Sequence, residues 1–237
     1  MISIINNILA SNGYQTIETD VAINGHAVFL FQPNANIERE EYFVTIQPEV
    51  QSDEAAQRLL AEEAQVLFEA INASGKVERP FEKNCTMLIC CEEGIVNRDS
   101  ILSLEEDQYN FKKNVVAYTL HELAKTKAYL AENEIKKITN KVINDIVNSE
   151  GGKNFLRFKT REESSIGHYS LILKAALKLP FITYSPQEQK LANLSLEIDS
   201  SLTASQSRIY AQLMEPDMEW TDENIYQHIE RIWGGSV

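Results

Sequence analysis

Positive charge is scarce in this sequence: 22 Lys and Arg stand against 35 Asp and Glu, for a formal net charge of −13. A chain so acidic repels phosphate at long range, which argues against a dedicated nucleic-acid binder. Long apolar runs are also missing; none approaches the roughly 20 residues a membrane-spanning helix needs. The first residues, MISIINNILASNGYQ, hold no basic n-region and no small-residue cleavage site, so no signal peptide is expected. Only three cysteines occur, Cys85, Cys90 and Cys91, all within NCTMLICCEE. An odd, clustered set on an apolar stretch speaks against a disulfide framework and reads as reduced thiols packed as small hydrophobes in a cytoplasmic protein.

Self-contained catalytic signatures are absent as well. His121-Glu122 is half of a zinc-protease helix motif, but the second imidazole should fall where Lys125 stands. His26, His168 and His228 are isolated in sequence, and adjacent Cys90 and Cys91 on a strand point to opposite faces. Gly151-Gly152-Lys153 lacks the rest of a phosphate loop and follows a helical pattern, so it reads as a helix stop. Glu82-Lys83, Glu134-Ile135-Lys136 and Glu188-Gln189-Lys190 hold fragments of nuclease signatures without the preceding Asp on a strand. No cofactor, no metal and no enzymatic activity are expected.

What is present is an ordinary globular composition, 43% hydrophobic and 24% charged, in 237 residues, enough to bury a sizeable core. Ile2, Ile5, Ile8 and Leu9 keep helical spacing until Asn12-Gly13. TIETDVAI and HAVFLFQ flank Asn24-Gly25, the preferred pair for a type I′ hairpin turn. EEYFVTIQ closes at Pro48 as a third strand, and CTMLICC suits a central one. Between them Ser52 or Asp53 caps a helix to about Ala73, with Leu60, Ala64, Leu67 and Ile71 as its buried stripe and Gly75 as its stop. Further on, Phe111, Val115, Tyr118, Leu120, Leu123 and Leu130 predict one long helix from about residue 103 to Asn133. Ile135, Ile138, Val142 and Ile146 predict the next, and SSIGHYSLILKAALKLP a third, capped by Ser164 or Ser165 and ended at Pro180. TDENIYQHIERIW begins at a Thr221 cap and sets Ile225, Ile229, Ile232 and Trp233 on one face. The fold class is α+β: a largely antiparallel sheet with helices over 1–102, then a mainly helical module over 103–237 that shares its core or stands beside it.

The stretch ILSLEEDQYNFKK (101–113) packs three acids, two aromatics and two lysines together. Ser103-x-x-Glu106 has the form of a capping box, and Glu105, Glu106 and Asp107 would then favour the positive end of a helix dipole. A carboxylate pair for acid–base chemistry is the other reading, but no nucleophile or ligand set stands beside it. Charge is uneven along the chain. Residues 1–110 hold 6 Lys/Arg and 19 Asp/Glu, residues 111–160 hold 10 and 5, and residues 161–237 hold 6 and 11. In the basic middle, Lys136, Lys137 and Lys141 are predicted on one exposed helix face, able to meet phosphates, an acidic partner surface or only solvent.

The segment ILSLEEDQYNFKKNVVAYTLHELAKTKAYL (101–130) resembles the middle component of ABC-three-component systems, the Lamassu-type defence systems of bacteria among them, in its acidic turn, its Tyr-x-Phe-Lys-Lys and its Tyr-bearing apolar run. The resemblance implies an accessory subunit beside an SMC/Rad50-like ATPase and a nuclease effector, with DNA met only inside the complex. It carries no catalytic residue over. It carries the stretch Leu104, Glu105, Glu106, Asp107, Tyr109, Phe111, Lys112 and Lys113, of which only exposed members can be interface residues. The candidate partner or DNA contacts are therefore Glu105, Glu106, Tyr109, Lys112 and Lys113, with Lys136, Lys137, Lys141 and Trp233. A stand-alone acidic regulator or antitoxin-like binder, and a nuclease, are the alternatives.

Overall fold

Helix α1 (Ile2–Ser11) forms where Ile4, Ile5, Ile8 and Leu9 recur on one face, and all four are buried. Asn12 ends it, its side-chain amide donating to Ile8 O at 2.7 Å. Gly13 then turns the chain at φ +97°, a backbone conformation that strains any residue with a Cβ, and the Ile37 side chain packs where that Cβ would stand. The computed structural model describes residues 1–160, 167–186, 201–214 and 221–233. It divides into two compact units, Met1–Pro186 and Gln187–Val237.

The first unit is built on one five-stranded sheet, β1 (Tyr14–Ile17), β2 (His26–Pro33), β3 (Tyr42–Pro48), β4 (Cys85–Glu92) and β5 (Lys112–Tyr118), ordered as numbered. The pairs β1–β2 and β2–β3 are antiparallel; β3–β4 and β4–β5 are parallel. Strand β4 lies inside the sheet between β3 and β5, and seven of its eight residues are buried, because helices cover both its faces. Cys85, Met87, Ile89 and Cys91 join one core cluster, while Leu88 and Cys90 join the other. The first layer contains α2 (Asp53–Arg58), a π-turn (Leu59–Glu63), α3 (Ala64–Ala73) and α4 (Arg98–Glu106). The second contains α1, α5 (Leu120–Glu132), α6 (Asn140–Val147) and α8 (Gly167–Leu177). Helix α7 (Lys153–Lys159) follows a short 3-10 turn (Ser149–Gly152). The α+β class stands.

Three expectations need correction. The long helix from residue 103 does not exist: α4 starts at Arg98 and stops at Glu106, β5 follows, and α5 begins after Thr119. Asn97 caps α4 by accepting the Ser100 N–H at 2.8 Å, so Ser103 lies inside the helix and Glu106 ends it. The true capping box is Thr119 with Glu122: the Glu122 N–H donates to Thr119 Oγ1 at 3.1 Å, and the Thr119 N–H to Glu122 Oε2 at 2.8 Å. Next, the hairpin strands pair Tyr14 with Pro33 and Ile17 with Leu30, so residues 18–25 are loop, not strand. Gly25 has φ +77° but Asn24 is not in the left-handed region, so the turn is not type I′. Ile17, Val21 and Ile23 instead lean on the α2–α4 side of the core. Last, α6 starts at Asn140, capped by Thr139, and residues 135–139 form a link without regular secondary structure. Asn7 of α1 and Asn12 just after it hold that link and the start of α6: Asn7 accepts the Ile138 N–H at 2.8 Å and Asn12 accepts the Asn140 N–H at 2.7 Å.

The second unit shows α9 (Ala204–Leu213), opened by a Thr203–Gln206 capping box, and α10 (Ile225–Trp233). Thr221 accepts the Ile225 N–H through its backbone carbonyl at 3.0 Å. The Ser164 or Ser165 cap and the Glu188–Lys190 fragment fall outside the described residues. Among those described, no helix is long and apolar enough to cross a membrane.

Candidate functional site

Strands β4 and β5 start beside one another, and the chain that leads into them makes a cleft of about 1000 Å³. Glu40 and Glu41 precede β3, Glu82, Lys83 and Asn84 precede β4, and residues 107–111 lead into β5; Lys178, just after α8, completes the wall. Ligands of open parallel sheets gather beyond the carboxyl ends of the strands, and this cleft lies at the opposite ends. Its walls mix carboxylates with ammonium groups, several already joined in pairs.

The paired groups form a lock. Lys113 points inward from β5 and is 2% exposed, with its ammonium on Asp107 Oδ1 and on the Tyr109 carbonyl at 2.8 Å. Asp107 also accepts the Tyr109 N–H at 3.1 Å. The Phe111 N–H donates back to Tyr109 O at 2.7 Å, and Asn110 between them has φ +65°. That is a γ-turn through the left-handed region, a costly conformation that persists only where its surroundings impose it. Here the buried ammonium and the Asp107 carboxylate impose it. The result is a fixed turn whose tip, Tyr109, is 79% exposed.

Glu105 has a different task. Its Oε1 accepts the Val115 N–H of β5 at 2.8 Å and the Lys178 ammonium at 2.6 Å. One carboxylate therefore caps a backbone donor of an edge strand and ties α4 to the end of α8, which blunts that edge against further pairing. Lys113 and Glu105 are structural groups. Glu106, Tyr109 and Lys112 are the exposed members of the candidate stretch.

The remaining candidates are dispersed. Lys136, Lys137 and Lys141 are all exposed, but the first two lie on the irregular link and only Lys141 is on α6, so the common helix face does not form. Trp233 is 44% exposed on α10; of its predicted stripe only Ile232 is buried, at 1%. No three His, Cys, Asp or Glu side chains come together as a metal would require among the described residues. Burial pushes the Cys90 thiol up to about 12, the Cys91 thiol to about 11 and the Cys85 thiol well above its ordinary value, so all three stay protonated at neutral pH.

Sequence reasoning missed a second polar cluster, at the carboxyl ends of β4 and β5. Glu122 is 2% exposed, and its Oε1 accepts the Ser170 hydroxyl at 2.5 Å and the Lys174 ammonium at 2.9 Å. Lys174 also pairs with Glu93 at 3.0 Å. Burial alone would raise the Glu122 pKa; the Ser170, Lys174 and Thr119 donors outweigh it and hold the carboxyl below its ordinary value. Every partner is satisfied inside the fold, so the cluster joins α5 to α8. The Thr119-x-x-Glu122 spacing was its one available signal.

Set beside known proteins, the chain matches one family model, that of the ABC-three component (ABC-3C) system Middle Component 1, over residues 41–146. No curated protein and no solved structure matches it. The matched span runs from the start of β3 to α6 and contains the whole Tyr109 turn.

Proposed function

We propose that this chain is the non-catalytic middle subunit of a bacterial defence complex against phage and plasmid DNA, and that it bridges an SMC-like ATPase and a nuclease effector. The observation that carries the reading is the match of residues 41–146 to the middle-component family. ATP hydrolysis and DNA cleavage belong to the partner subunits, and DNA is met only within the complex, since a chain of net charge −13 is repelled by it.

The Tyr109 turn supports a contact role in that complex. Exposed aromatic side chains that desolvate well are common binding anchors, and an anchor already held in one backbone conformation loses less entropy when it docks. Lys112 and Glu106 beside it can set register and orientation through charge.

The test is reconstitution. The isolated chain neither hydrolyses ATP nor cuts DNA, while mixing it with the ATPase and the effector gives one stoichiometric complex on size-exclusion chromatography. Tyr109→Ala weakens that complex at least tenfold and leaves the melting temperature of the free chain unchanged. Metal-dependent DNA cleavage by the isolated chain, lost on Glu106→Ala, overturns the accessory reading.

A further inference from the structure

The sequence holds the pair Asn-Gly twice, as Asn12-Gly13 and as Asn24-Gly25, and the fold treats the two in opposite ways. In such a pair the glycine nitrogen can attack the side-chain carbonyl carbon of the asparagine, because no Cβ crowds its approach. A side chain held by hydrogen bonds does not reach that nitrogen, whereas one in solvent does. Asn12 is held. Its amide donates to Ile8 O at 2.7 Å and to Ile138 O at 3.0 Å, and its oxygen accepts the Asn140 N–H at 2.7 Å. The Ile37 side chain fills the space beside Gly13. Ring closure at this pair would break three bonds, two of them to residues 138–140.

Asn24 and Gly25 are both exposed, at the corner that leads into β2. The His26 N–H donates to Ile23 O at 3.2 Å and closes a four-residue turn, with Gly25 in its third position at φ +77°. Positive φ at the third position but not the second is the type II form. Backbone oxygens of the pair are engaged: Asn24 O meets His26 Nδ1 at 3.1 Å, and Gly25 O accepts the Glu49 N–H at 2.8 Å. Among the described residues, the Asn24 side chain makes no hydrogen bond and the Gly25 N–H has no acceptor. Nothing lies within 4 Å of the place a Cβ of Gly25 would take, so the turn has room to close a ring.

We propose that Asn24 is a self-modifying site, which loses ammonia and becomes an isoaspartyl or an aspartyl link. The Gly25 nitrogen gives up its proton and bonds to Asn24 Cγ; the Cγ–Nδ2 bond breaks, and Nδ2 leaves with that proton as ammonia. Water then opens the succinimide. Attack at Cγ breaks its bond to the Gly25 nitrogen and restores the ordinary main chain with a carboxylate at position 24. Attack at the Asn24 backbone carbon breaks the peptide bond instead, and the main chain then runs through Cβ and Cγ. Water is the one co-reactant, and nothing is oxidised or reduced. The second route inserts a methylene into the turn. That moves Gly25 O off the Glu49 N–H and shifts His26, whose ring meets Glu63 of the π-turn at 3.5 Å. The site lies outside residues 41–146 and needs no partner subunit, so it stands apart from the accessory reading.

The experiment ages the full chain at mildly alkaline pH, where the Gly25 amide proton is removed fastest, and maps its peptides by mass spectrometry. In the folded chain, position 24 exchanges its amide nitrogen for oxygen at least tenfold faster than position 12. In urea, where both pairs lose their surroundings, the two rates converge. Gly25→Ala places a Cβ beside the attacking nitrogen and slows the reaction at position 24 at least tenfold. The isoaspartyl form, separated by anion exchange, melts below the natural chain, whereas Asn24→Asp, with the charge but an ordinary main chain, melts with it. Equal rates at the two positions in the folded chain, or a faster one at position 12, overturn the site. An isoaspartyl form that melts with Asn24→Asp overturns the loosening of the turn.

Discussion

At the scale of single residues, the group with most at stake is Lys113. A lysine is seldom fully buried unless paired, and nothing in Tyr-x-Phe-Lys-Lys tells Lys113 from Lys112. Only the strand parity does: Lys113 turns inward from β5 and Lys112 outward. Lys113→Met removes the ammonium that holds Asp107 and the Tyr109 carbonyl, and strands a carboxylate beside the core. The expected cost is about 3 kcal/mol, the lower end for breaking a buried pair because Asp107 keeps some solvent contact. Urea unfolding reads it, and Lys112→Met in parallel stays within about 0.5 kcal/mol.

Glu122 supplies a pH signature of its own. Its folded pKa lies below the ordinary 4.5, so the stability it contributes is complete above 4.5 and is lost as pH falls through the folded value. Its partner Lys174 is shifted up from 10.5: burial would lower it, but Glu122 and Glu93 outweigh that, so its contribution is complete below 10.5 and fades as pH rises further. Melting temperatures of the natural chain and Glu122→Gln, compared from pH 7 downward, converge below pH 4.5. A gap that stays constant through that range excludes the ion pair as its source.

Among the elements, those with a single strong signal were legible in the sequence. β4 was readable because a strand covered on both faces needs a continuous apolar run, and CTMLICC provides one between turn residues. The helix after Ser52 was readable from its cap, and Ser52 does accept the Ala55 N–H at 3.1 Å; the π-turn inside it left no mark. β5 was misread because Phe111, Val115 and Tyr118 satisfy helical spacing as well as a strand buried on both sides. Ser103 and Glu106 reinforced the error by forming the pattern of a cap where the chain is already helical. The two patterns can be told apart: Thr119→Ala removes a cap on α5 and lowers stability by about 1 kcal/mol, whereas Ser103→Ala, inside α4, changes it by less than about 0.5 kcal/mol. Equal effects of the two substitutions in chemical denaturation contradict the assignment of the helix starts.

For the molecule as a whole, the exposure of the candidate residues was only partly legible, because exposure depends on packing that a sequence does not display. Glu105 and Lys113 carried the right chemistry for contacts and spend it on the fold, while Tyr109 and Lys112 in the same stretch remain outside. Charge patterning survives better, since it needs no packing to be read. Lys136, Lys137 and Lys141 are exposed, although not on one helix face, and Asn7 fixes the backbone beneath them by donating to Lys136 O at 2.9 Å and accepting the Ile138 N–H. Reversing all three to Glu therefore alters the field around this part of the surface without disturbing the link that carries it. If the basic middle faces an acidic partner, the reversal slows association most at low salt, and the difference narrows as salt approaches 1 M, where screening falls to about 3 Å. Stopped-flow association over a salt series measures this, with filter binding of duplex DNA beside it. The free chain retains no DNA at physiological salt, before or after reversal, because its net charge opposes the contact. Unchanged association, together with weaker DNA retention by the assembled complex and a shallower salt slope, assigns these lysines to phosphates instead of to a protein surface.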